Sequence, residues 1–425
     1  MNWTSLDFQR SADQLLGFLE PVIRELGRSE RKTAAVRYIH GLLMPGQRKS
    51  IEPMAQRLGV DAQSLQQFVS NSPWSDTAVW TAIRREIIPR LEPIEAWVVD
   101  ETGWLKQGQH SVGVSHQYCG SVGKQANCQV SVEVVVSDGT VAAPVAGRLY
   151  LPESWTKDPA RCARVGVPAQ TVFATKPMIA AQLIRDTLAD GVAPAPILGD
   201  AAYGDNAEFR AALRQINVEF FLQVDAAKHK GWDVEVPTQI KWVLRHPTDD
   251  APTSRTMAEI AAALPAQAWK PVQWKTAAGQ TGSTRLAWCE VWLQHALRKA
   301  GGELEKLWLV VDWPADSVEP YHCYLANFHR PPTQARCLKL SRSRWHIEQY
   351  FQRAKDDLGL DHFEGRSWNG FHHHLVLSAL AYLFILTIHQ RAKKNAWCDL
   401  GADTQSDPAV DRESHRLLLL LRSGI

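Results

Sequence analysis

The stretch VVDETGWLKQG covers residues 98–108 and joins an apolar segment to two adjacent carboxylates, Asp100 and Glu101. The residues before Asp100, IEAWVV at 94–99, are typical of a short buried strand. Lys106 follows Asp100 by six positions. Acidic side chains at the point where a buried strand emerges are typical of a metal site, of a nucleophilic aspartate or of a solvated turn. The choice among these three depends on the rest of the chain.

The bulk composition is that of a soluble globular protein. The chain has 425 residues, of which 45% are hydrophobic and 22% charged, and this length predicts more than one domain. The formal net charge is only +2, so binding to nucleic acid would need cations concentrated at one place. None of the seven cysteines forms a C-x-x-C pair, which indicates free thiols in a reducing compartment.

Two further features bear on location. The N-terminus lacks a signal-peptide pattern, so we expect a cytoplasmic protein, associated with the nucleoid in a prokaryote. The longest apolar run, 375–388, has 14 residues, too few for a membrane span, and predicts a buried helix. His372, His373 and His374 precede this run and are interpreted as residues at the helix end.

Hydrophobic periodicity changes along the chain and suggests how it is divided. Apolar residues at helical spacing dominate the start, and residues 52–74 contain a helix, a turn at Gly59 and a second helix capped near Asp61. This spacing permits a DNA-binding helix-turn-helix, but an ordinary helical pair looks the same. We predict a helical, DNA-binding candidate domain at 1–92, a catalytic α/β domain at 93–225 and 305–395, a β-rich insertion domain at 226–304 and a tail at 396–425.

Three carboxylates occupy positions from which they could face one cleft. Asp100 ends the first strand, and Asp200 ends a second apolar strand, PILGD. Glu348 lies in a helix predicted over 333–358, where Arg344, Glu348 and Lys355 fall at i, i+4 and i+11 beside an apolar stripe. Each acid alone is more typical of a cap or turn. Together they favour a shared site.

The charge around Glu348 is lopsided, because it is the only acid between residues 330 and 355. A solvated helix face usually mixes signs. Many bases around one acid favour a surface that binds a polyanion and holds one metal-binding carboxylate. The bases in this segment are Arg330, Arg336, Lys339, Arg342, Arg344, Arg353 and Lys355.

Converging carboxylates beside phosphate favour Mg²⁺, with Mn²⁺ as an alternative. Two such ions about 4 Å apart can activate a water or a 3′-hydroxyl and stabilise the leaving oxygen of a phosphodiester. A phosphatase with an aspartate nucleophile is the competing enzyme class. It would need Asp-x-Asp after the first strand, and Thr102 occupies the third position here.

At this point the chain resembles the DDE transposases of the IS4-like group, most closely the IS701 family. The resemblance rests on GQRKSIEPMA, VVDETGWLKQGQHSVGVSHQYCGSVGKQANCQVSV, LYLPESWTKD, ILGDAAYGDN and RWHIEQYFQRAKDDLGLDHFEGRSWNGFHHHL. It implies an α/β fold, with an RNase H-like mixed sheet flanked by helices and a β-rich insertion before the glutamate. It also implies a catalytic, metal-binding triad of Asp100, Asp200 and Glu348.

The same resemblance implies DNA contacts and a reaction. The family signature Tyr-x2-Arg-x3-Glu-x6-Lys maps its last three residues onto Arg344, Glu348 and Lys355, whereas its tyrosine position is Ser341 here. The implied enzyme acts as a homodimer on inverted-repeat ends and target DNA, with two Mg²⁺ ions per site. A transposase-derived DNA-binding protein without cleavage activity is the alternative. Further candidate DNA contacts are Arg342, Arg353, Trp345 and Lys106.

Overall fold

One mixed β-sheet with helices packed around it forms the centre of the molecule, which confirms the predicted fold class. Much of 226–304 and the tail after residue 400 lie outside the described residues, so the predicted extent of the insertion domain and of the tail stays a prediction. The computed structural model describes residues 5–91, 93–225, 242–243, 257–275, 281–293, 305–317 and 322–400.

The segment before the sheet is helical, as predicted. Buried Leu19, Val22, Tyr38 and Ile39 face the common core, because their spacing places them on the inner sides of the first two helices. The helices are α1 (Ser5–Ile23), α2 (Ser29–Leu43), α3 (Ile51–Leu58), α4 (Ala62–Ser70) and α5 (Asp76–Ala82).

The predicted helix-turn-helix is present in α3 and α4. Gly59 ends α3 in the left-handed conformation (φ +64°), which glycine adopts without strain. The Asp61 carboxylate accepts hydrogen bonds from the backbone N–H groups of Gln63 and Ser64 and so caps α4. These two local signals fix the turn. DNA binding by the motif stays a prediction.

The sheet is built from strands of very different length. The strands are β1 (Ala96–Leu105), β2 (Ser115–Cys119), β3 (Lys124–Ser137), β4 (Ala142–Leu149), β5 (Ile197–Gly199), β6 (Phe220–Val224), β7 (Trp242–Val243), β8 (Lys270–Lys275), β9 (Thr281–Leu293), β10 (Glu305–Asp312) and β11 (His322–Ala326).

The part of the sheet that carries Asp100 and precedes Asp200 has the order β4-β3-β1-β5-β6. Strands β4, β3 and β1 are antiparallel, whereas β5 and β6 run parallel to β1. This is the RNase H-like order that the resemblance implied. Because β1 and β5 are parallel neighbours, their carboxyl ends meet at the same edge of the sheet.

Further strands extend this sheet at one edge. Strand β11 pairs with β6 and β10 with β11, and both strands follow the predicted insertion in sequence. Strand β9 of the predicted insertion pairs with β10, and β7 and β8 both pair with β9. The division of this region into an insertion domain stays a prediction. Trp269 and Trp288 of the predicted insertion, and Trp308 and Trp313 after it, pack against the main core.

The remaining helices cover the sheet. We predicted one helix over 333–358, but it divides at Arg344. Ser341 and Ser343 donate side-chain hydrogen bonds to backbone carbonyls within this segment, and such bonds bend helices. The helices are α6 (Glu153–Thr156), α7 (Pro159–Arg164), α8 (Lys176–Ala189), α9 (Ala201–Gly204), α10 (Ala207–Gln215), α11 (Met257–Ala262), α12 (Gln334–Ser343), α13 (Trp345–Asp356) and α14 (Trp368–Leu400).

Helix α14 is the central core helix, and it is longer than the apolar run that predicted it. By length and composition alone its portion Trp368–Gln390 could cross a membrane, but 83% of its most apolar window is buried inside the protein. It packs against β4, α2, α4 and α5. The histidines at its start are structural: Tyr38 Oη lies 2.8 Å from His374 Nδ1, and His373 contacts the carbonyls of Val69 and Trp74.

Candidate active site

Asp100 and Asp200 lie on neighbouring parallel strands. Asp100 is in the middle of β1, and Asp200 directly follows β5. Val98 pairs with Leu198, so each aspartate comes two residues beyond the same register position. The Asp200 carboxylate also accepts a hydrogen bond from Ala202 N (2.9 Å) and caps α9. The sheet register therefore brings these two predicted site residues together.

The electrostatics of the pair are those of a site prepared for a cation. Burial and the nearby negative charge of Asp200 raise the pKa of Asp100 well above its ordinary value. Burial, followed by the charge of Glu101, also raises the pKa of Asp200. Two carboxylates that resist ionisation together are stabilised by a cation placed between them.

Arg344 supplies a cation at this position. Its guanidinium donates to Glu348 (Nη2–Oε1, 2.6 Å) and lies 3.8 Å from Asp100 (Nη1–Oδ2). Arg344 thus links the third predicted acid, on α13, to the first, on β1. Glu348 is the most exposed of the acids Arg344 contacts, with 36% of its side chain accessible. Among the described residues, no three His, Cys, Asp or Glu side chains are close enough together to hold a metal ion.

Glu101 has partners that the sequence did not predict. Its carboxylate accepts hydrogen bonds from Lys176 Nζ (2.7 Å) and from Tyr203 Oη (2.8 Å), and its charge acts on both aspartates. Tyr203 lies one helical turn after Asp200, so this contact fixes α9 against β1.

A buried network seats α13 on the sheet. Tyr350, two residues after Glu348, donates to Glu133 Oε2 (2.9 Å), and Ser131 donates to Glu133 Oε1 (2.9 Å). Burial raises the pKa of Glu133 to about 7. Lys355 Nζ donates to the backbone carbonyl of Gly103 (3.0 Å) at the other end of α13. These contacts hold the helix that carries Glu348 across the strand that carries Asp100.

The other predicted DNA contacts lie in different surroundings. Trp345 is exposed over 55% of its surface, Arg353 is exposed, and the Arg342 guanidinium stacks on Trp274 at 3.7 Å. Lys106 donates to the carbonyl of Phe363, and burial lowers its pKa to about 8. DNA contact by any of these residues stays a prediction.

Ser341, at the position of the family tyrosine, uses its hydroxyl within the chain. It donates to the carbonyl of Leu338 (2.9 Å), and the side chain is only partly exposed. A serine hydroxyl on this helix does not reach as far as a phenol would. The departure from the family pattern therefore changes what this position of α12 can contact.

The chain was compared with known proteins by sequence and by structure. The chain is similar to the probable transposase for insertion sequence element IS701 of Microchaete diplosiphon, with 30% identity over 200 residues. That alignment covers 46% of this chain and about half of the relative, 49%. The piggyBac transposase synaptic complex with hairpin DNA superposes with a TM-score of 0.47 at 8% identity, covering 97% of this chain and 80% of that chain.

The model of the DDE superfamily endonuclease family matches residues 21–281. This range includes Asp100 and Asp200 and ends before Glu348. It covers more than half of the chain, and the protein therefore belongs to the DDE superfamily of endonucleases.

Proposed function

We propose that the protein is a transposase that cleaves DNA at the inverted-repeat ends of an insertion sequence and joins those ends to target DNA. The observation that carries this proposal is the proximity of Asp100 and Asp200 on parallel strands, with Glu348 linked to Asp100 through the guanidinium group of Arg344. The likeness to a probable transposase supports the same reaction class.

The donor set fits a divalent cation. Asp100 and Asp200 offer carboxylate oxygens, which Mg²⁺ prefers, and their raised pKa values mark a place where negative charge lacks compensation. These two would hold the ion, with Glu348 as the third ligand. When bound, such ions activate a water or a 3′-hydroxyl and stabilise the leaving oxygen. Mn²⁺ has the same preference for oxygen ligands.

The chain's own residues would position the DNA. Arg344 is held between two acids, so it is placed to exchange Glu348 for a phosphate oxygen when DNA enters. Arg342 and Arg353 are exposed on the same helices and would contact the backbone on either side. Trp345 would stack on a base, because its ring is already exposed beside Arg344.

The remaining parts of the proposal concern assembly and location. Joining two ends requires that both be held together, so we infer a homodimer in the complex with DNA. Its place of action would be the nucleoid of a prokaryotic cytoplasm. The burial of α14 within the protein is consistent with such a location.

A DNA-binding protein without cleavage activity is a second candidate. One observation favours it: the Glu348 carboxylate is bound to Arg344 at 2.6 Å, and among the described residues no three acids are close enough together to hold a metal ion. If this pair does not open, the acids cannot act together. The two candidates make opposite predictions for cleavage and the same prediction for binding.

The deciding experiment is cleavage of labelled duplexes from both flanks of the gene, with Mg²⁺ and with EDTA. We expect Asp100→Asn and Glu348→Gln to lower cleavage by about 10³-fold or more, since each removes several kcal/mol of stabilisation. Binding in EDTA should stay within about twofold, which excludes misfolding. Robust cleavage by either variant would overturn the assignment. Absence of cleavage by the unaltered protein, with binding intact, would favour the second candidate.

A further inference from the structure

A cleft of about 710 Å³ lies in the N-terminal helical region, and all of its lining residues precede Asp100 in the sequence. One wall is the beginning of α2, and the other is α4 with the turn that follows it. The second wall is therefore the second helix of the helix-turn-helix. We refer to this feature, with its fourteen lining residues at 28–31, 33–34, 37, 64–65, 67–68 and 71–73, as the N-terminal cleft.

The first wall is positively charged. Arg28, Arg31 and Arg37 line it, and Glu30 is the only acid of the lining. Arg28 and Arg37 are exposed, and within the described part of the chain neither guanidinium has a hydrogen-bond or ion-pair partner. Guanidinium groups that face an open cleft without a carboxylate are available to phosphate oxygens.

The second wall carries neutral polar groups on one face. Ser64, Gln67 and Asn71 are spaced i, i+3 and i+7, so they form a stripe that faces the cleft. The side chains of Gln67 and Asn71 are exposed. Amide side chains are the groups that recognise adenine through two hydrogen bonds in the major groove.

The stripe is held rigidly from behind. Leu65 and Phe68, at the floor of the cleft, are 1% and 4% exposed. Phe68 stacks on Trp74, with ring centroids 5.4 Å apart, and Trp74 stacks on His373 of α14 at 3.5 Å. The second wall is therefore fixed to the central core helix. A fixed polar stripe presents its amides in a defined register, which recognition of base edges requires.

We propose that the N-terminal cleft is a duplex-DNA recognition site: its arginines hold one sugar–phosphate backbone, and Gln67 and Asn71 contact base edges. This inference rests on the proposed function, which makes DNA the partner, and it adds the surface that would recognise that DNA. A single strand fits less well, because Phe68, the only aromatic residue of the lining, is buried and cannot stack on a base. An acidic protein segment would use the arginines but not the amides.

The test measures binding of the full-length protein in EDTA, so that cleavage does not intervene. The probes are duplexes from the DNA flanking the gene, scrambled duplexes of the same composition, single strands and a poly-glutamate peptide. Fluorescence anisotropy over a series of salt concentrations gives the affinity and the slope of its logarithm against log salt. Unfolding midpoints of all variants establish that they fold.

The double variant Arg28→Ala/Arg37→Ala should lose affinity equally for flanking and scrambled duplexes. Its salt slope should fall by about 1.8, since each phosphate contact contributes about 0.9. Gln67→Ala/Asn71→Ala should lose about tenfold or more for the flanking duplex and nothing for the scrambled one. Arg185→Ala, an exposed arginine of α8 outside the cleft, is the matched control and should change neither quantity.

Glu30→Gln gives a result that misfolding cannot imitate. Removing the only acid of the lining should tighten duplex binding and raise the salt slope. An unchanged affinity and slope in the folded arginine variant would overturn the proposal. Tighter binding of the single strand or of the acidic peptide than of the duplex would also overturn it. A failure of the proposed cleavage function can be distinguished from a failure of this proposal. The first would be seen as a lack of cleavage in Mg²⁺ and would leave the binding differences between the variants in EDTA unchanged.

Discussion

The segment 330–355, which contains α12 and α13, and the N-terminal cleft both carry several cations, but they differ in what those cations already contact. On α12 and α13, Arg336 pairs with Glu219, and Lys339 pairs with Glu95. Arg344 binds Glu348, and Lys355 binds a carbonyl of β1. In the cleft, Arg28 and Arg37 have no such partner among the described residues.

This difference shows that a run of basic residues in a sequence gives the number of cations, but not how many of them are unpaired in the folded protein. Glu348 is the only acid in the 330–355 segment, and this predicted a surface open to a polyanion. The compensating acids, Asp100 of β1, Glu95 just before β1 and Glu219 just before β6, come near these bases only through the fold. A paired cation must give up its partner to bind phosphate, so its net contribution to DNA affinity is smaller.

The largest expected effect is a loss of stability on acidification, through the contact between α2, which forms one wall of the N-terminal cleft, and α14. His374 accepts a hydrogen bond from Tyr38 of α2, and burial lowers its pKa from 6.5 to about 4. A depressed folded-state pKa means that this stability is present above pH 6.5 and is lost as the pH falls toward 4. We expect His374 alone to cost about 2 kcal/mol at pH 5 relative to pH 8. Urea unfolding at both pH values measures this.

The control for that experiment is an exposed histidine. His374→Gln should unfold with a smaller difference between the two pH values, whatever its stability at pH 8. His116→Gln, at an exposed position of β2, should keep the difference of the unaltered protein. An equal pH difference in all three proteins would show that the link between α2 and α14 does not titrate as the structure indicates.

Much of the fold was predictable, because its signals are local or follow from strand order. Asp200 was predicted at a strand end and directly follows β5, whereas Asp100, also predicted at a strand end, lies inside β1, because the strand continues to Leu105. The parallel register of β1 and β5 still brings the two aspartates together. Gly59 and Asp61 predicted the turn and the cap before α4, since left-handed backbone and a side-chain acceptor are properties of single residues. The catalytic roles of these aspartates stay predictions.

The rest of the site depends on contacts between residues far apart in sequence. The hydrogen bond from Tyr350 to Glu133 spans 217 positions, and that from Tyr203 to Glu101 spans 102. No periodicity encodes such a pairing. Glu133 is a charged residue in an otherwise apolar strand, and this interruption of the apolar pattern is the one local sign that it has a buried partner, which is Tyr350.

Arg336 allows a test of a cation that already has a partner within the protein. Its guanidinium binds Glu219 and lies 4.0 Å from the ring centre of Phe328. Arg336→Ala should lower the free energy of unfolding by about 1 kcal/mol, because this pair is partly exposed. The DNA affinity and its salt slope should not change. A loss of affinity without a loss of stability would mean that Arg336 serves DNA and not the fold.

Arg330 is the matched control in the same segment. It is exposed, and within the described residues it has no hydrogen-bond or ion-pair partner. Arg330→Ala should therefore leave stability unchanged. If DNA passes over this surface, the variant should lower the salt slope by about 0.9. The two arginines thus separate the effects of a paired and an unpaired cation six residues apart.

The smallest expected effect concerns Lys355. If Arg344 and Lys355 both contact DNA, as the family signature implies, then Arg344→Ala and Lys355→Ala should both weaken binding to all sequences and lower its salt dependence. Burial lowers the pKa of Lys355, and its ammonium group is bound to the Gly103 carbonyl, whereas Arg344 is partly exposed between Asp100 and Glu348. We therefore expect Arg344→Ala to lower the slope and Lys355→Ala to lower it by much less than about 0.9.

Salt titrations of both variants against one duplex decide this point. A full reduction by Lys355→Ala would mean that the lysine leaves Gly103 when DNA binds. Internal pairing would then not predict which cations are available, and the contrast with the N-terminal cleft would lose its basis. A small reduction, with Arg330→Ala giving the full one, would instead make the pairing of each cation in the free protein a measure of its contribution to DNA affinity.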